Sequence, residues 1–305
     1  MITMDSIFSM FLNDYYIQVL TMLGIYLVAA LGLHIITGVT GQLSFGHAAF
    51  LSIGAYTAAI FSLRLNAPFV LALLAGGLMA SLWGVLLGYP TLRLTGDYLG
   101  IATLGFGEIV RVVFLNMSIT GGALGLAGIP RSTTLTVVIV VVAISIWAMV
   151  RLENSRFGRS LIAIREDEIA AEAMGVNITA SKIAAFAIGT FLAGVSGGLY
   201  AHLLQYLNPS DFSFSRSFEF LTFIVLGGLG SIPGVLLGTT VLTLAPEFLR
   251  TIADYRMMVY GLLMVVMMIV RPRGLLGGVK ISRLLSRKKG QDKDPDVPSK
   301  ANEWR

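Results

Sequence analysis

Long apolar runs separated by short polar or glycine-rich breaks dominate the chain. They predict membrane-crossing helices near residues 16–36, 44–63, 69–89, 98–117, 133–150, 183–205 and 256–270. Several of these runs reach or approach the roughly 20 apolar residues that a helix needs to cross ~30 Å of hydrocarbon. One longer run, 219–249, is broken by Gly227-Gly228-Leu229-Gly230-Ser231-Ile232-Pro233-Gly234. Such a cluster frees backbone groups that lipid cannot satisfy, so it turns inside protein or at an interface, and the run is expected to cross twice as a short hairpin. The pattern predicts an all-α polytopic integral membrane protein with about eight to ten transmembrane helices, nine being the best count, some broken or re-entrant.

Composition agrees: hydrophobic residues make up 55% of the chain, charged residues 13%, and the mean hydropathy is +0.80. Soluble domains carry about 25% charged residues. Basic residues set the expected orientation. The loop 151–182 holds Arg151, Arg156, Arg159, Arg165 and Lys182, and Arg271, Arg273, Lys280, Arg283, Arg287, Lys288 and Lys289 follow the last run. Both regions are expected to be cytoplasmic, and the N-terminus, which lacks Lys and Arg, external. Residues 1–289 then form one transmembrane domain with a cytoplasmic loop at 151–182, and the polar, Pro-containing 290–305 a disordered cytoplasmic tail. No separate signal peptide is expected, because Asp5 and Asp14 precede the first run and no basic region does. With no cysteine, disulfides and thiolate metal sites are excluded. The net charge of +5 gathers at one membrane face, so nucleic acid is not an expected partner. No G-x-x-x-x-G-K-[ST] loop occurs, so the chain has no such means of hydrolysing ATP.

Some residues inside the runs carry chemistry. Glu108 and Arg111 lie three apart on one helical face. Each would cost about 2.5–3.5 kcal/mol at a helix centre, so they are expected to pair, either as a structural lock or as a pathway gate. His34, His47 and His202 fall on three different runs without metal-ligand spacing and are expected to bond between helices. Gly194-Val195-Ser196-Gly197-Gly198 matches the G-x-S-x-G nucleophile pattern. His202 lies roughly 120° around the helix from Ser196, however, so the glycines read as a close-packing face. The glycine-rich pieces 38–54, 96–107 and 121–128 suggest the broken helices that line transporter sites. The segment 158–175, GRSLIAIREDEIAAEAMG, is a charged helix-former set between apolar runs. Gly175 is its expected stop, and the segment reads either as a solvated loop or as a coupling helix for a soluble partner.

Four extended motifs, GQLSFGHAAFLSIGAY (41–56), GDYLGIATLGFGEIVRVV (96–113), GRSLIAIREDEIAAEAMGVN (158–177) and VLGGLGSIPGVLLG (225–238), occur in the order typical of LivM-type permeases, and RPRGLLG (271–277) resembles that family's ending. These permeases are the membrane subunits of branched-chain amino-acid ABC importers. The resemblance implies a multi-pass subunit of a bacterial or archaeal cytoplasmic membrane with no catalytic site and no cofactor of its own. It implies a second related permease, two cytoplasmic ATP-binding subunits that hold ATP and Mg, and an extracytoplasmic solute-binding protein. The implied solute is a branched-chain amino acid or a related small amide such as urea. Carried onto this chain, the ATPase-coupling residues are Gly158, Arg159, Ile164, Arg165, Glu166, Asp167, Glu168, Ala170, Ala171 and Gly175. The translocation core is expected to draw on Ser44, Gly46, His47, Thr103, Glu108 and Arg111. Thr120-Gly121-Gly122-Ala123-Leu124-Gly125 departs from the family's T-G-G-P pattern, which relaxes and greases that external loop. Two rival readings are an ion-coupled secondary transporter titrating Glu108 and an intramembrane hydrolase acting through Ser196.

Overall fold

In the computed structural model, which describes residues 14–91, 97–248, 258 and 261, the apolar runs fold as helices. In chain order these are α1 (Asp14–Leu33), α2 (His47–Arg64), α3 (Phe69–Thr91), α4 (Asp97–Asn116), α5 (Leu135–Asn154), α6 (Arg156–Glu166), α7 (Glu168–Ala173), α8 (Ile178–Leu204), α9 (Phe214–Gly227) and α10 (Ile232–Phe248). A π-helical turn, His34–Val39, extends α1. Among the described residues, five segments are long and apolar enough to cross a membrane: Asp14–Val39, Phe69–Thr91, Tyr98–Asn116, Leu135–Asn154 and Ile178–Leu204. The expected break in 219–249 falls between α9 and α10, whose arms are 14 and 17 residues long. The expected span 256–270 lies, apart from Met258 and Gly261, outside the described residues, as do Asp5, the basic stretch 271–289 and the tail 290–305.

The longest helix, α8, forms the axis of the bundle, with α1, α2 and α3 packed around it. Lipid gives helices no hydrophobic reason to associate, so small residues that admit close backbone contact decide which ones do. A Cβ on Gly54 of α2 would collide with the backbone of Gly194 of α8, and one on Gly197 with the Leu51 carbonyl. The G-x-S-x-G stretch is therefore the packing face of α8. Ser196 is buried there and donates to the Ile25 carbonyl of α1 at 2.8 Å.

Each end of the bundle has its own fastening. At one end, α6 lies beside the π turn of α1, and His34 Nε2 donates to Glu153 Oε1 of α5 at 2.8 Å. At the other, Thr133 donates to the Leu199 carbonyl at 2.9 Å, and Ser62 Oγ meets His202 Nε2 at 2.8 Å. There a two-residue antiparallel ladder joins β1 (Leu126–Ala127) to β2 (Tyr206–Leu207), with Leu126 opposite Leu207. The loop expected to be slack is therefore anchored: Tyr206 Oη donates to the Leu124 carbonyl at 2.8 Å, and Thr120 Oγ1 bonds the Phe114 and Met117 carbonyls. Each of the three histidines does bond to another helix, His47 doing so through Nε2 to the Ala29 carbonyl at 2.9 Å.

Candidate functional site

The segment 158–175 folds as two helices rather than the single one its composition suggests. Ser155 caps α6, accepting from Gly158 N at 3.0 Å, and Leu161 and Ile164 turn inward and are buried. Gly158 itself is buried where a Cβ would strike the Leu152 carbonyl. Asp167 then leaves the helical region and its carboxylate accepts from Ile169 N and Ala170 N at 2.9 and 3.0 Å. An aspartate that can bond two free N–H groups gains more as a cap than inside a helix, and this splits the segment. Gly175, at φ +84°, ends the second turn as expected, and Asn177 caps α8.

The charged residues expected to face an ATPase have divided duties. Asp167 is occupied by the cap, Glu168 binds Lys182 Nζ of α8 at 2.5 Å, and Arg159 bonds the Asn154 carbonyl at 2.9 Å. Arg165 is turned toward the π turn of α1, while Glu166 stands exposed and bonds Arg165 at 2.8 Å. Ala171 is buried beneath α7, and Ala170 is exposed. Two apolar side chains stand out among them: Ile169 is 82% exposed and Met174 85%. The sequence signal for this change of face is Asp167, whose capping resets the helical phase.

Gly46 and Thr103 meet at a crossing buried within the chain, and Ser44 and His47, on either side of Gly46, are buried as well. Phe45 N donates to Thr103 Oγ1 at 3.0 Å, Thr103 Oγ1 donates to the Gly100 carbonyl at 2.8 Å, and a Cβ on Gly46 would run into the Thr103 carbonyl. Ala48 N donates to Ser217 Oγ of α9 at 3.0 Å, which ties in the hairpin. The Ser44 hydroxyl, the Thr37 hydroxyl and both amide atoms of Gln42 are buried without a hydrogen-bond partner.

Glu108 and Arg111 lie elsewhere on α4, paired at 2.7 Å and with side chains 38% and 30% exposed. The outward faces of the other long helices offer a contrast. That of α3 carries Val70, Leu74, Leu78, Leu82 and Leu86, and that of α5 carries Ile139, Ile144 and Trp147. Such surfaces suit lipid. The α4 face mixes Ile101, Ile109 and Val112 with the ion pair, and has open space at Gly105. An ion pair at this depth belongs against protein or water rather than acyl chains.

Among the described residues no cluster of His, Asp or Glu could hold a metal ion. A multi-pass helical bundle packed through glycines, with a capped and exposed helix pair at one end, is a polytopic membrane protein. The family model for the permease component of branched-chain amino acid transport systems matches residues 15–268, and the chain belongs to that family of transport components. The high-affinity branched-chain amino acid permease proteins LivM of Salmonella typhimurium strain LT2 and of Escherichia coli K12 are each 37% identical over 295 residues, covering 85% of this chain and 69% of theirs. The LivH permease of E. coli K12 is 31% identical over 137 residues, 44% of each chain. No solved structure matches.

Proposed function

We propose that the chain is the LivM-like permease subunit of a binding-protein-dependent ABC importer. It moves branched-chain amino acids, or small amides related to them, into the cytoplasm by ATP-driven alternating access. Its partners in this reading are a second, LivH-like permease, two cytoplasmic ATPase subunits that bind ATP and Mg, and an extracytoplasmic solute-binding protein. The carrying observation is the pair of apolar knobs, Ile169 and Met174, exposed at the polar end of a membrane bundle and held there by the Asp167 cap and the Glu168–Lys182 pair. A groove on an ATPase subunit accounts for knobs that water does not.

Orientation follows the same logic. Arg151, Arg156, Arg159, Arg165 and Lys182 gather at the α6–α7 end, which supports a cytoplasmic position for that end and an external one for the start of α1. The α4 face faces the second permease, where Glu108 and Arg111 border the path and the buried crossing at Gly46 and Thr103 braces it. This arrangement argues against an ion-coupled carrier, because the Glu108 charge is already balanced by Arg111.

The test is co-purification of the tagged chain from its host in mild detergent. Wild type should retain a second permease and two ATPases, with ATP hydrolysis raised by solute-loaded binding protein. Ile169→Asp with Met174→Asp should lose the ATPases and keep the second permease. A chain that purifies alone and takes up solute in liposomes on a proton gradient would overturn the reading.

A further inference from the structure

We infer that Arg165 is the pin through which movement of α6 reaches the transmembrane core, rather than a contact to the ATPase. Its side chain, 33% exposed, reaches from the helix pair to the exit of α1. Nη1 donates to the Gly38 carbonyl at 2.7 Å, and Nη2 is steadied by Glu166 Oε1 at 2.8 Å. Three glycines from two distant parts of the chain make the socket. Gly38 and Gly41 come from the exit of α1, and Gly230 from the turn between α9 and α10. A Cβ on Gly41 would lie 2.8 Å from Arg165 Cγ, and one on Gly230 would lie 2.5 Å from Nη1. A Cβ on Gly38 would also lie 3.2 Å from Gly230 N, so the two backbones touch beneath the guanidinium. Gly41 and Gly230 hold φ values of +77° and +80°, which side chains rarely adopt.

The socket stands where the chain can pass a displacement onward. Gly38 lies within the π turn His34–Val39, a local departure from α-helical hydrogen bonding. Downstream, residues 42–46 run directly to the Thr103 crossing on α4, the helix that carries Glu108 and Arg111. Along this stretch Thr37, Gln42 and Ser44 keep buried polar atoms without partners, so few side-chain bonds fix it in one position. One guanidinium thus ties α6 to the end of α1 by a hydrogen bond and packs against the α9–α10 turn at the same point. A lever needs such a joint: contacts to the ATPase move α6, and Arg165 makes two elements of the core move with it.

This inference rests on the importer reading and is tested in the assembled complex in proteoliposomes. The variants are Arg165→Ala, Arg165→Lys and, for the solvent-side partner alone, Glu166→Ala. Arg165→Ala should retain its ATPase subunits and its thermal stability while ATP consumed per solute rises about tenfold, within the range of ordinary coupling energies. Arg165→Lys keeps the charge but not the fork that bonds Gly38 and Glu166 together, and should fall between Arg165→Ala and wild type. Glu166→Ala, which removes the steadying carboxylate and leaves the Gly38 bond in place, should raise the ratio by less than Arg165→Ala does. Loss of the ATPases from Arg165→Ala would make it a docking residue and overturn the inference, as would hydrolysis and uptake falling in step at an unchanged ratio. Should Arg165→Ala not assemble, Gly230→Ala, which displaces the guanidinium from its socket, must show the raised ratio or the inference fails. A wild-type chain that recruits no ATPase would instead sink the importer reading itself.

Discussion

The ammonium of Lys182 and the carboxylate of Glu168 meet at 2.5 Å across the junction of α7 and α8, the lysine side chain 7% exposed and the glutamate 44%. The two members are therefore unequal. Removing Lys182 leaves a carboxylate that water already reaches, whereas removing Glu168 strands a buried ammonium. Glu168→Ala should destabilise the α7 region by about 1–2 kcal/mol and Lys182→Ala by less than about 1 kcal/mol. Amide hydrogen exchange across 168–173 measures both, and equal effects would contradict the asymmetry.

The cap at Asp167 makes a separate prediction. Asp167→Ala removes two bonds to free N–H groups and should cost about 1 kcal/mol, confined to α7. Asp167→Asn should recover most of it. Because this residue builds the helix that presents Ile169 and Met174, its loss should weaken retention of the ATPases without altering the exchange of α8.

Close contact between α2 and α8 at Gly54 and Gly194 leaves no room for a side chain. Gly54→Leu should sharply reduce folded protein extracted from the membrane, since overpacking costs about 1–3 kcal/mol even where some relief is possible. Gly105→Leu meets open space within this chain and should leave its yield unchanged while lowering recovery of the second permease. Equal yields for the two variants would refute the packing account.

For Ser196 the expectation is near silence. Ser196→Ala loses one buried bond to the Ile25 carbonyl, about 0.6 kcal/mol for such a bond in a membrane bundle, and should transport normally. A serine-reactive probe should not label the wild-type chain at that position.

Neutralising one member of the α4 ion pair isolates the other. Glu108→Gln and Arg111→Gln should each lower membrane yield, and the double variant should regain it because no lone charge remains. Uptake by the double variant should stay several-fold below wild type, as a charge-lined path requires. Full uptake would reduce the pair to a structural lock.

Much of this architecture was legible in the hydrophobic pattern, because each apolar run had to be helical to satisfy its backbone in lipid. The break at 227–234 was legible for the same reason, glycines and a proline being unable to hold a span together. The split at Asp167 was hidden, since Glu166-Asp167-Glu168 reads as continuous helix by charge and propensity. Only the geometry shows the middle carboxylate turning back onto the next helix. The role of Arg165 was equally invisible: its partners, Gly38 and Gly230, have no side chains and lie 127 positions before it and 65 after it. The resemblance grouped Ser44, Gly46, His47 and Thr103 with Glu108 and Arg111, but the burial of the first four inside one chain depends on how α2 and α4 cross, which no local pattern records.

At the far end of the bundle, the pairing of Leu126 with Leu207 has a mechanical result. The connection from α4 to α5 and the connection from α8 to α9 are separate in sequence, yet they form one stitched rim. Anything that settles on Leu124, which is 87% exposed, pulls on the tether from its carbonyl to Tyr206, just past the end of α8. A visitor to that surface therefore tugs the central axis of the bundle with the same touch that moves the loop.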